Sequence, residues 1–210
     1  MKPLKGVLYG LIGFVVLVLA AGLFLPTRAH VERSIVTSAS PSTVYELVNG
    51  FRHFNEWSPW ATLDPHATFT YSGPETGVGA RMEWSSKTAE VGSGSQEVVA
   101  VDPDRRVTNA IDFGAQGKGT ASYLLEPVAA GTRITWTFDA NFEGNYLGRY
   151  FGPFMDRFVG ADYEKGLARL KDLAEASTPA EAPAVSPTDD NDATASTASV
   201  AVEGSPLPQL

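Results

Sequence analysis

PFMDRFVGADYEKGLARLKDLAEA, residues 153–176, is the longest amphipathic helix pattern in the chain. Phe154, Met155, Phe158, Val159, Tyr163, Leu167, Leu170 and Leu173 recur in steps of three and four, with Glu164, Lys165, Arg169, Lys171, Asp172 and Glu175 between them. The pattern reaches back to Tyr146 and takes in Phe151, but Gly152-Pro153 interrupts it. Proline lacks an amide donor and clashes with the preceding turn, so the continuous helix is expected to start at Pro153.

Upstream of this helix the period changes to two. Six segments, 67–71, 80–85, 94–102, 107–113, 118–127 and 132–142, alternate apolar with polar residues and are separated by Gly, Pro, Asp and Asn clusters. They read as an antiparallel meander, with the clearest hairpin from Ala121 to Phe138 turning over Pro127 to Gly131. A further β-branched strand is expected over Val31 to Ala39. Ser40-Pro41 then supplies an N-cap and a first-turn proline, and Val44, Leu47, Val48 and Phe51 follow at helical spacing. Gly50 and the Trp57-Ser58-Pro59-Trp60 turn limit that helix and a shorter one after it.

The ends differ in kind from this middle. Residues 7–25, VLYGLIGFVVLVLAAGLFL, carry no charge, and as a helix they would be roughly 28 Å long, enough to span a bilayer. A secretory signal peptide is the competing reading, since Lys2 and Lys5 precede the run and Val18-Leu19-Ala20 resembles a cleavage site. The run, however, exceeds the usual signal core. The anchor reading gives a single-pass membrane protein, N-terminus inside, with its domain on the periplasmic or extracellular side. At the other end, residues 177–210 are Ala, Ser, Thr, Pro and acidic residues without Lys, Arg or aromatics, and are expected to be disordered. The organisation is therefore anchor 1–26, folded domain 27–176 and tail 177–210.

Composition removes several kinds of chemistry. The 210 residues hold no Cys and three His, so thiolate catalysis, disulfides and Cys-ligated metals are excluded, and no metal site or cofactor is implied. A net charge of −8 has the wrong sign for neutralising phosphates, so nucleic acid is not an expected partner. Five of the acids, Glu181, Asp189, Asp190, Asp192 and Glu203, lie in the tail, which leaves −3 for the rest. Gly114 to Thr120 lacks the spacing of a phosphate loop and joins two strands, so it reads as a hairpin.

Strand, paired short helices, six strands and a long last helix are the order of the helix-grip fold. Together with FNEWSPW (54–60), GTRITW (131–136) and EKGLARLK (164–171), this order resembles the polyketide cyclase/dehydrase and lipid-transport members of the START/Bet v 1-like (SRPBCC) superfamily. The resemblance covers about residues 31–175. It implies an α+β fold in which a curved antiparallel sheet of about seven strands surrounds the C-terminal helix and leaves an apolar cavity. The expected lining is Trp57, Trp60, Phe69, Tyr71, Met82, Trp84, Ile111, Phe113, Tyr123, Trp136, Phe138, Phe154 and Phe158. Such rings can bound a ligand site or simply fill a close-packed core.

Groups able to do acid-base chemistry are few. His53 lies near Glu56 in sequence and could act as a base, and Tyr123 is the best inward-facing polar group, able to orient a ligand or donate a proton. Arg81 and Glu83 alternate with Met82 and Trp84 and so face outward. The leading expectation is a membrane-anchored module that binds a hydrophobic small molecule or lipid. The alternatives are a cyclase or dehydratase-like enzyme and an envelope module that docks an unidentified protein partner.

Overall fold

The computed structural model describes residues 2–177. An N-terminal helix, α1 (Lys2–Gly22), precedes β1 (Arg28–Thr37), α2 (Pro41–Val48) and the one-turn α3 (Phe54–Trp57). Then come β2 (Thr68–Ser72), β3 (Arg81–Ser85), β4 (Ser93–Asp102), β5 (Arg106–Asp112), β6 (Lys118–Val128), β7 (Gly131–Asn141) and α4 (Met155–Ser177). The seven strands form one antiparallel sheet in the order β1-β7-β6-β5-β4-β3-β2, so β1 is laid beside β7 and the other five follow in reverse sequence order. Strand and helix together make an α+β fold.

Alternation fixes the inner face. Val31, Ile134, Trp136, Phe138, Ala121, Tyr123, Leu125, Val107, Val98 and Met82 are buried on it, while the outward Arg81 pairs with Glu83 at 2.9 Å and Glu97 at 3.3 Å. β4 shifts register between Val98 and Ala100, a bulge that resets its alternation. At the β6–β7 turn Gly131 has φ +123°, and a Cβ there would strike the Thr37 carbonyl and Ser38 backbone. Glycine at this point lets the end of β1 close against the hairpin.

α2 starts as its sequence dictates: the Ser40 hydroxyl accepts the Thr43 amide at 3.2 Å, with Pro41 in the first turn, and Val44, Leu47 and Val48 face the core. α4 crosses β1 and is pinned there. Arg33 of β1 donates to Asp156 and to Glu164, each at 2.8 Å, and the Ser38 amide donates to Glu175 at 3.0 Å.

Three expectations change. The last helix starts at Met155 rather than Pro153, because Gly148–Tyr150 and Gly152–Phe154 are tighter 3-10 turns, with Pro153 in the second of them. Phe154 and Phe158 are exposed, so the aromatic stripe expected to face the sheet is turned by one position. Met155 and Val159 face inward in their place, beside Tyr163. Third, the transmembrane span expected over 7–25 is not shown: α1 ends at Gly22, and among the described residues no helix is long and apolar enough to cross a membrane. Near its end α1 meets the domain, where the Tyr150 hydroxyl donates to the Val18 carbonyl. The tail expected to be disordered lies, from 178 on, outside the described residues.

Candidate functional site

Between the inner face of the sheet and the start of α4 lies a cavity of about 680 Å³. Its floor is contributed by alternate residues of neighbouring strands: Phe69 of β2, Met82 and Trp84 of β3, Gln96 of β4, Ile111 of β5, Ala121 and Tyr123 of β6, and Trp136, Phe138 and Ala140 of β7. Each faces the same side because antiparallel partners share a face: Phe69 pairs with Trp84, Met82 with Gln96, Gln96 with Ile111, and Tyr123 with Trp136. Trp60 closes one end. Phe142, Leu147, Phe151, Met155, Val159 and Tyr163 form the side built by the segment leading into α4 and its first turns.

Two aromatic groups shape the walls. Trp136 is the hub of the first: it stacks on Tyr163 with centroids 3.7 Å apart at 11°, and meets the edges of Trp57 at 5.3 Å and Trp60 at 6.0 Å. The second is the chain Trp84–Phe113–Phe138, with edge-to-face contacts at 5.9 and 6.2 Å. Such contacts hold bulky rings in fixed orientations and so keep them from collapsing into the space they surround. α4 can approach the first group because residue 166 is glycine; a Cβ there would lie 2.8 Å from the Trp136 ring.

Of the thirteen residues expected to line a site, nine border this cavity: Trp60, Phe69, Met82, Trp84, Ile111, Phe113, Tyr123, Trp136 and Phe138. Trp57 is buried behind the lining against Tyr123 and Trp136. Tyr71 shares the inner face, but sits at the far end of the edge strand, 42% exposed, with its hydroxyl accepting from Asn55 at 3.2 Å. Phe154 and Phe158 point away from the cavity, for the reason given above. Sequence reasoning missed Gln96, Phe142, Asn145 and Leu147. Gln96 was legible, since it stands two residues before the inward Val98, whereas the segment around Asn145 carries no periodic signal.

The polar groups are sparse and electrically neutral. Among the described residues, the charged members of the lining are Glu90 and Lys118, both exposed at the rim. Inside, burial pushes the Tyr123 and Tyr163 hydroxyls well above the ordinary phenol range, so both are protonated at physiological pH. His53 is half-exposed, bonds Glu56 at 2.8 Å through Nδ1 and is not part of the lining, so it does not meet Tyr123 across the cavity. Within the stretch from Gly114 to Thr120 the β5–β6 turn ends at Gly117, before Lys118 opens β6, and Gln116, Gly117 and Lys118 border the rim; Asn145 ties the turn to the opposite side by donating to the Gln116 carbonyl at 3.1 Å. Among the described residues no cluster of His and acidic side chains could hold a metal ion.

A family model described as polyketide cyclase / dehydrase and lipid transport matches residues 28–175. No curated protein matches the chain. Among solved structures, that of Ara h 8.0201 is 12% identical at TM-score 0.53, covering 71% of this chain and 99% of that one. A protein from Mesorhizobium loti is 16% identical at TM-score 0.51, covering 71% and 99%. The di-domain ARO/CYC StfQ of the steffimycin biosynthetic pathway is 13% identical at TM-score 0.52, covering 71% of this chain and 51% of that one. At these identities the likeness is one of fold.

Proposed function

Because the chain belongs to the polyketide cyclase/dehydrase and lipid-transport family of START/Bet v 1-like proteins, we propose that it binds a hydrophobic small molecule or lipid in the cavity between sheet and α4. The observation that carries this reading is a space of about 680 Å³ walled by aromatic and aliphatic side chains whose charged residues lie only at the rim. That volume and lining suit a small-molecule site. Burying a ligand's apolar surface there is worth about 25 cal/mol per Å² before the costs of association are subtracted.

The cyclase or dehydratase reading has less support. It needs an acid and a base within reach of one substrate atom. Tyr123 is at the cavity, but His53 is outside it, and Tyr123 is a weak acid in this setting. The protein-docking reading gains no specific observation.

Our reading also has α1 hold the domain at a bilayer, on its periplasmic or extracellular side. In support, Val7, Leu11, Phe14, Val16 and Leu17 are each at least half exposed, and water is a poor environment for a helix that is apolar on all sides. Lys2 and Lys5 ahead of the run favour an inside N-terminus.

The test is saturable binding of the neutral fluorophore N-phenylnaphthylamine to the full chain in amphipol. Wild type should bind with enhanced fluorescence, and Ala121→Phe, which places a ring in the cavity from β6, should abolish the saturable component. Equal binding by a folded Ala121→Phe protein would refute the cavity as the site.

A further inference from the structure

Gln96 is a primary amide set into the floor of a cavity lined mostly by apolar side chains. Its side chain stands between Met82 and Ile111 on the neighbouring strands, only 5% of its surface is exposed, and it lines the cavity. Among the described residues its amide has no hydrogen-bond partner. In the same wall the Ser58 hydroxyl, the Asn55 side-chain Oδ1 and the Trp136 indole N–H are buried without partners and closed off from the space itself. An amide left without a partner costs about 1–3 kcal/mol, and a hydrocarbon occupant would not relieve that cost at Gln96. All four are neutral. An ionised headgroup drawn into this space would lose its hydration and find no counter-charge, because Lys118 is at the rim and already paired with Asp112 at 2.8 Å.

We infer that the occupant is an uncharged amphiphile, a long apolar body carrying a hydroxyl or carbonyl group, whose polar group enters the cavity and hydrogen-bonds to Gln96. This rests on the proposed binding function and narrows it to a ligand class. The amide serves either kind of group, since its NH₂ donates to a carbonyl and its oxygen accepts from a hydroxyl. Fatty carboxylates and lipids that would have to bury a phosphate are rejected by the same chemistry.

The experiment displaces N-phenylnaphthylamine from the full chain in amphipol with hexadecanol, hexadecanoate at pH 8 and hexadecane, on wild type and Gln96→Leu. Wild type should prefer the alcohol to both others by about tenfold, the value of one buried hydrogen bond. Gln96→Leu should erase the preference over hexadecane while binding hexadecane at least as well. If all three probes compete equally on wild type, or if hexadecanoate wins, the inference falls while the carrier function stands. If none competes, both fall. Should Gln96→Leu fail to fold, Gln96→Met, close in volume, takes its place, and the wild-type series decides by itself whether the ligand class is right. A folded variant that keeps the alcohol preference overturns the role of Gln96.

Discussion

Trp136 of β7 and Tyr163 of α4 stack face to face at 3.7 Å, and this contact joins the last strand to the last helix at the edge of the cavity. Both rings are almost fully buried, and Trp136 also braces Trp57, Trp60 and Tyr123. Trp136→Ala should therefore destabilise the domain by about 3–5 kcal/mol, read as a lowered denaturant midpoint. A loss under about 1 kcal/mol would show that the stack is not a structural hinge point of the core.

Thr132 is fully buried, and its hydroxyl donates to the Ala39 carbonyl at 2.7 Å, joining β7 to the turn before α2. Thr132→Val keeps the shape and removes the donor. The orphaned carbonyl should cost about 1–3 kcal/mol in chemical denaturation, and no change would mean that water replaces the hydroxyl.

Tyr123 offers the opposite case, a buried hydroxyl that has no hydrogen-bond partner among the described residues. Tyr123→Phe should leave stability unchanged or raise it by less than about 1 kcal/mol, because no bond is lost and a desolvated polar group is removed. Marked destabilisation in thermal unfolding would reveal a partner for that hydroxyl.

The end of α4 carries an acid-sensitive tie. Lys171, the Ser38 amide and Thr37 hold the Glu175 carboxyl down to about 2 from its ordinary 4.5. A carboxylate depressed in the folded state adds stability above its unfolded value, and that contribution is lost as pH falls from about 4.5 through about 2. Glu175→Gln should lower stability at neutral pH and flatten its decline over that interval. Parallel pH profiles for variant and wild type would contradict the assignment.

Much of this architecture could be read from the residues. Ser40-Pro41 announced α2, alternation announced the inner faces of the strands, and three- and four-residue steps announced α4. Phe154 and Phe158 stand one residue before Met155 and Val159, about 100° away around the helix, and periodicity alone does not say which of two apolar stripes meets the sheet. Which large side chains pack solid and which leave space was also not written locally. It depends on how α4 seats over the sheet, set by Gly166 against Trp136 and by Arg33 holding Asp156 and Glu164. Gln96 acquires its significance only from that tertiary setting, as one polar residue on a hydrophobic floor.

Native mass spectrometry of the full chain, gently released from detergent and paired with organic extraction of the same sample, tests the central claim most directly. A folded protein carrying a single, extractable hydrophobic molecule, absent from Ala121→Phe, is the predicted result. A wild-type chain that is always empty and stays empty after incubation with neutral lipids would contradict the proposal that this cavity is a binding site.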